Sequence, residues 1–327
     1  MSEDSQQNTS LNNTKPEDTK WQRDAIEKLA GSALTEQRTA RRWSIFFKGL
    51  MFAYLFIILF YALGWLGGGK ASTGSHTALI EVAGVIEAGG AVNADSFMSS
   101  LHDAYDDKNT KGIILRINSP GGSPVQAGII NDEIKRQKKL HPKIPVYAVV
   151  EDICASGGYY IAAATDKIYV DKASIVGSIG VLMDGYGFTE VMKKVGVERR
   201  LMTAGENKAM LDPFSPVNPK HQVLAQAMLN QIHEQFITVV RQGRGSRLKE
   251  TPETFSGLFW SGEEGIKMGL ADALGSTDYV ARDVIKEDKI VDFTAQEDFT
   301  SRIAKRIGAS MAKEVGLDAL TKGIQLR

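Results

Sequence analysis

One cysteine, Cys154, stands in a chain of 327 residues, so no internal disulfide framework holds the fold. Neither sign of charge is in excess, with 39 Lys plus Arg against 39 Asp plus Glu. That balance gives no global field to draw nucleic acid, and the basic clusters near Arg38 and Arg241 come without a nucleic-acid motif. No Walker-type or G-x-G-x-x-G loop is present, so ATP dependence is not indicated. His233-Glu234-Gln235-Phe236-Ile237 begins like the zinc motif H-E-x-x-H but lacks its second histidine, which removes the metalloprotease reading. Of the five histidines (His76, His102, His141, His221, His233), none lies in a glycine-rich turn beside an acid. A Ser-His-Asp triad therefore has no support in the pattern. Neither a metal nor another cofactor is expected.

Charge is also missing from Gly49 to Gly69. Leu50 to Leu63 is apolar on every face, and with Ser44-Ile45-Phe46-Phe47 in front it reaches the length that crosses a bilayer. Arg38, Arg41, Arg42 and Lys48 precede the run, and only Lys70 follows it before Glu81. This bias puts the N-terminus in the cytoplasm and everything after residue 70 outside. The long segment ahead of the run argues for an uncleaved anchor over a signal peptide. The expected organisation is a polar cytoplasmic tail over 1–43, a transmembrane anchor over 44–66 and a flexible glycine-rich linker over 67–76. A globular domain over 77–284 and a C-terminal helical extension over 285–327 follow.

From Thr77 the pattern alternates short β-branched runs with helical ones, which predicts an α/β fold with a parallel sheet and crossover helices. Ala78 to Ile86, Gly112 to Asn118 and Ile144 to Val150 read as strands, with shorter ones near Lys167 to Val170 and Gly180 to Met183. His221 to Arg241 carries Leu224, Met228, Ile232, Phe236 and Val240 in one stripe, a packing face of an amphipathic helix. Sites in such folds lie beyond the carboxyl ends of strands. Two glycine-rich turns, 119–123 and 154–158, occupy that position.

The second turn places Ser156 between a core strand and a helical run, its own N–H near the helix's positive end. On this segment alone, a helix N-cap serine beside a glycine turn is the better account of the pattern. Cys154 reads as a small buried core residue. A nucleophilic serine needs a base, and without a histidine the alternative is a lysine made neutral by burial away from carboxylates. Lys208 has apolar neighbours after it but also Glu206 close by, and taken alone it reads as a surface-loop residue.

Four motifs in order change this reading: Asn118-Ser119-Pro120-Gly121-Gly122-Ser123, Ala155-Ser156-Gly157-Gly158-Tyr159-Tyr160-Ile161-Ala162, Gly177-Ser178-Ile179-Gly180-Val181 and Gly205 to Lys208. With Gly269 to Gly275 they resemble the signal peptide peptidase A family of membrane-anchored serine peptidases, from about Thr77 to Gly275. The resemblance implies a Clp protease/crotonase-like fold behind a single transmembrane helix. It further implies Ser156 as nucleophile, Lys208 as general base, Gly122 and Gly157 as oxyanion-hole donors, and Ser178 as the residue that positions the lysine. Glu206 is then expected to point to solvent. Each motif occurs once, which matches the family's short, single-repeat form. The implied partners are peptide substrates, signal peptides among them, cut after small or apolar residues, together with the membrane and a ring- or dome-like homo-oligomer. The implied location is the outer face of the cytoplasmic membrane. The competing readings are a crotonase-like acyl-CoA enzyme, which shares the paired backbone N–H groups, and a non-catalytic membrane scaffold on the same fold.

Overall fold

The computed structural model describes residues 16–62 and 74–295, in two compact units, 1–71 and 72–327. In the first, helix α1 (Pro16–Ala62) runs unbroken for 47 residues. Within it Arg41–Phe60 is a 20-residue stretch long and apolar enough to cross a membrane, close to 30 Å at ~1.5 Å per residue. Trp43 stacks on Phe47 at 5.6 Å near its start. The expectations for residues 1–15, for the linker up to residue 73 and for the C-terminal extension from residue 296 onward lie outside the described residues.

The second unit is built on an eight-stranded, mostly parallel sheet. Strands β1 (His76–Ala83), β2 (Thr110–Ser119) and β3 (Val146–Ala155) form its centre in parallel register. Crossover helices α2 (Ala94–Asp106) and α3 (Pro124–Leu140) connect them. Alternate residues of each strand divide between two cores, as a pleat of period two requires. Ile80, Leu115 and Ala148 join Leu101, Ile130 and Ile134 in the main cluster. Leu79, Ile114 and Val149 pack instead with Val280 and Ala281. Burial on both faces explains why these strands read as continuous apolar runs.

After β3 come α4 (Gly157–Ala162), β4 (Lys167–Val170), β5 (Ile175–Gly177), α5 (Thr189–Lys194) and α6 (Pro219–Arg244). Strands β6 (Phe259–Ser261), β7 (Ala273–Leu274) and β8 (Ile290–Asp292) complete the sheet, with α7 (Gly262–Lys267) between β6 and β7. A helical turn α8 (Thr277–Tyr279) continues into a π-helical turn, Val280–Ile285. Strand β3 is shared: Tyr147 to Val149 pair with β4, and Ile153 to Ala155 pair with β5. Its last residues therefore project past β4, and the turn carrying Ser156 lies at that end. Strand β8 pairs in parallel with β1, so the sheet takes up residues 290–292, beyond the point where a helical extension was expected. The short strand expected over 180–183 is absent, and β5 ends three residues earlier. Ser178 has φ +53, which breaks an extended run at that point.

Arg244, on α6, is 1 % exposed and binds the Gly269 carbonyl and Asp272 Oδ2 at 2.8 and 2.9 Å. Arg247 binds Asp272 Oδ1 at 3.1 Å. Burial pushes the Asp272 carboxyl upward, but the hydrogen bonds and charge of Arg244 outweigh it and hold the group below its usual value. The Gly269 to Gly275 motif thus anchors α6 to the sheet, and Gly269 (φ +75) leaves no room for a side chain, since a Cβ there would meet the Arg247 carbonyl oxygen.

Candidate active site

Two turns at the carboxyl ends of β2 and β3 meet at Ser156. The first is held by Ser119, whose hydroxyl donates to the Gly84 carbonyl at 2.6 Å and accepts the Gly121 N–H at 3.1 Å. Ile86 locks the same turn: its N–H reaches the Gly121 carbonyl at 2.9 Å and its carbonyl takes the Ser123 N–H at 2.7 Å. Gly121 and Gly122 have φ of +103 and +148. A Cβ on Gly121 would lie 2.6 Å from the Ser156 Cβ, and one on Gly122 would lie 2.1 Å from the Ile86 oxygen. Only glycine lets the turn come this close to the serine.

Ser156 has φ +52 and ψ −121, a conformation that costs a non-glycine residue of order 1–3 kcal/mol. It occupies the N-cap position of α4, yet its side chain makes no capping hydrogen bond, so the capping explanation of this serine does not hold. Its backbone is fixed by an N–H bond to the Gly177 carbonyl at 2.9 Å and by the Tyr160 N–H on its carbonyl at 2.9 Å. Behind it, α4 is tied down by the Tyr159 hydroxyl on the Leu270 carbonyl at 2.8 Å and by Asn131 Nδ2 on the Tyr160 carbonyl at 2.7 Å.

Gly157 opens α4, where the first N–H groups have no partner within the helix. Its position lies against Gly122: a Cβ on Gly157 would be 3.2 Å from the Gly122 nitrogen. Among the described residues no carbonyl accepts the N–H of either glycine. A cavity of about 30 Å³ beside them is lined by Ser156, Gly122, Gly157, Pro124, Tyr160, Gly180, Val181, Ile232, Gln235 and Phe236. Cys154 is buried on β3, two residues before Ser156, and burial pushes its thiol well above the usual range, so it is a core residue and no nucleophile.

Ser178 follows β5, with φ +53 and its N–H on the Leu258 carbonyl at 2.7 Å. His233 of α6 holds the next carbonyl, that of Ile179, through Nε2 at 3.1 Å. Lys208 lies apart from these groups. It sits in a run of turns, exposed, with its backbone N–H on the Gly205 carbonyl at 3.2 Å, and it is not among the residues lining the Ser156 cavity. Its loop is fixed by Asp212, which takes hydrogen bonds from Arg199 and Ser215, and by the stacked rings of Phe188 and Phe214 at 5.4 Å. Glu206 is exposed and engaged by Lys220 Nζ at 2.6 Å, leaving the Lys208 amine without that carboxylate.

The structure therefore brings Ser156, Gly122 and Gly157 together, sets Ser178 on an adjoining strained turn and leaves Lys208 on the surface. The sequence missed the side walls of the cavity. Ile232 and Phe236 stood out only as packing positions in the α6 stripe, and nothing in their spacing marks the face that meets Ser156.

A parallel α/β domain that presents an uncapped serine on a strained strand-to-helix turn, beside two free backbone N–H groups, has the apparatus of a serine hydrolase. The model of peptidase family S49 matches residues 138–292. A protein of Enterococcus faecium provisionally named signal peptide peptidase SppA is 31% identical over 232 residues, 70% of this chain and 67% of that one. The chain belongs to peptidase family S49, a family of serine peptidases. The Na(+)/H(+) antiporter NhaA of Brucella melitensis is 46% identical over 175 residues, which are 54% of this chain and 24% of that protein. The chain thus spans about a quarter of the length of that relative. Among solved structures, a ClpP1 mutant from Listeria monocytogenes aligns over 61% of this chain and 91% of its own, at 16% identity and a TM-score of 0.37.

Proposed function

We propose that the protein is a membrane-anchored endopeptidase with a Ser156-Lys208 dyad, acting on signal peptides and other membrane-associated polypeptides at the outer face of the cytoplasmic membrane. The observation that carries it is the Ser156 turn, whose strain serves no capping bond and whose hydroxyl stands beside the Gly122 and Gly157 N–H groups.

In this reading a neutral Lys208 amine takes the Ser156 Oγ proton as Oγ attacks the substrate carbonyl carbon. The carbonyl oxygen becomes an oxyanion stabilised by the N–H groups of Gly122 and Gly157. The lysine then returns the proton to the departing amine, leaving an acyl-enzyme. A water activated by the same lysine hydrolyses that ester, and Oγ recovers its proton. Ser178 keeps the amine oriented. A lysine serves as base only where burial favours its neutral form, and Lys208 is exposed in the single chain. We therefore assign the complete site to a homo-oligomer in which Lys208 of one copy meets Ser156 of its neighbour. Residues 41–60 anchor each copy with the N-terminus in the cytoplasm, following the positive charge ahead of the span.

The test is peptidase activity of the full-length protein in detergent as wild type, Ser156→Ala, Lys208→Ala, and an equal mixture of the two variants. Both variants fall at least about a thousandfold, and the mixture regains part of the activity. Near-normal turnover in Lys208→Ala places the base elsewhere. Labelling of Ser156 by a fluorophosphonate separates this reading from an acyl-CoA enzyme of the same fold, which has no nucleophile to label.

A further inference from the structure

The positive charge around the start of the membrane span is arranged in a way that orientation alone does not require. We propose that α1 holds the headgroup of an anionic phospholipid on one face, with Arg38, Arg41, Arg42 and Lys48 as its cationic ligands.

Between Glu36 and Glu81 the chain carries no acidic residue, so these cations have no carboxylate within their own stretch of helix to neutralise them. All four are exposed on α1. At about 100° per residue they fall within an arc of about 120°, which also takes in Ile45 and Gly49. Trp43, Phe46 and Phe47 fall outside that arc, in contact with one another at centroid distances of 5.8, 5.6 and 5.7 Å. Setting the orientation of a span needs only the number of cations beside it. It needs neither a single face nor a cation inside the apolar stretch.

Lys48 is such a cation. It lies inside the span Arg41–Phe60, about 10 Å deeper than Arg41 at ~1.5 Å per residue. An ammonium at that depth must reach back to the headgroups, and helical side chains lean toward the N-terminus, which here is the nearer surface. Trp43 marks that surface, because aromatic rings gather at the interface. A Cβ on Gly49 would meet nothing within 4 Å, so the backbone beside Lys48 is open to a glycerol or acyl group. Arg41 and Arg42 are suited to grip phosphate oxygens in pairs, Lys48 closes on the headgroup from below, and Ile45 between them meets its apolar part. Phosphatidylcholine has the same phosphate but brings an ammonium into a field of four cations. Free phosphate brings the charge and leaves Ile45 and Gly49 uncovered. A phospholipid of net negative charge satisfies both halves of the face.

The experiment titrates the full-length protein, in a neutral detergent, with phosphatidylglycerol or phosphatidylcholine of the same acyl chains and counts bound lipid by native mass spectrometry. Phosphatidylglycerol binds at least about tenfold more tightly, and Arg42→Gln and Lys48→Gln each weaken it by about fivefold. A third variant moves one cation without changing the count: Lys48→Leu with Leu50→Lys carries the charge about 200° around the helix. Its preference falls as far as that of Lys48→Gln. Equal affinity for the two lipids overturns the proposal. So does a preference that survives the relocation, since charge then acts without a face. Displacement of the lipid by inorganic phosphate at the same concentration overturns it too, by showing a phosphate site with no lipid requirement. None of these outcomes touches Ser156, whose labelling tests the peptidase reading separately.

Discussion

Ser156 bears a backbone strain that no capping bond repays, and that has a measurable signature. Glycine adopts φ near +52 without the cost, so Ser156→Gly relieves of order 1–3 kcal/mol, offset by about 0.5–1 kcal/mol of added freedom in the unfolded chain. The expected outcome is an inactive protein with a higher Tm than wild type. Ser156→Ala keeps its Cβ and gives inactivity without the gain. A Ser156→Gly variant that melts at or below the wild-type temperature contradicts the strain. The motif that marks this serine was legible because its glycines are dictated by local geometry: Gly121 and Gly122 are excluded from carrying a Cβ by Ser156 and Ile86. The neighbourhood of Lys208 was legible only as a match to a family, since no local constraint distinguishes that lysine from any other in a surface turn.

Between elements, the crossover helices are joined by a cluster that responds to acid. Glu133 of α3 accepts from both Arg136 Nε and Nη2 at 2.7 Å and from Gln137 at 2.9 Å. It also lies 2.6 Å from His102 Nε2 of α2. The Arg136 hydrogen bonds foremost hold its carboxyl down to about 2, against an ordinary value of 4.5, with burial working in the opposite direction. A depressed folded-state value means that the cluster stabilises the protein fully above the ordinary value and ceases to do so as pH falls toward 2. Glu133→Gln therefore lowers Tm at pH 7, and the difference from wild type shrinks steadily as pH falls below 4.5 toward 2, vanishing only below that. A penalty that stays constant over that range contradicts the assignment. At this scale the sequence located the central strands and α6 well, because apolar periodicity comes directly from two-sided burial. It placed a strand at 180–183 wrongly: Ser178 turns out of the extended run with a positive φ and gives its N–H to the distant Leu258 carbonyl, a tertiary bond that no local pattern records.

Across the whole catalytic unit, one region is built unlike the rest. Helix α5 buries nothing, and Tyr186, Val195, Met202 and Val217 around it are 79 %, 66 %, 94 % and 73 % exposed. Exposed apolar side chains of this kind are what the association proposed above would cover. Specific activity should accordingly fall on dilution, with the loss tracking dissociation by light scattering. Activity per mole that stays constant down to monomeric concentrations excludes a shared site. The sheet itself imposes an order in time. Strand β1 has β2 on one side and β8 on the other, and β8 is supplied by residues 290–292. The earliest strand of the domain to leave the ribosome must wait for the latest one, with Phe293 and Thr294 closing onto Leu79 and Glu81 only after that. The sheet is therefore completed only once residues 290–292 have been made, and until then Ser156, at the end of β3, stands on an unfinished sheet.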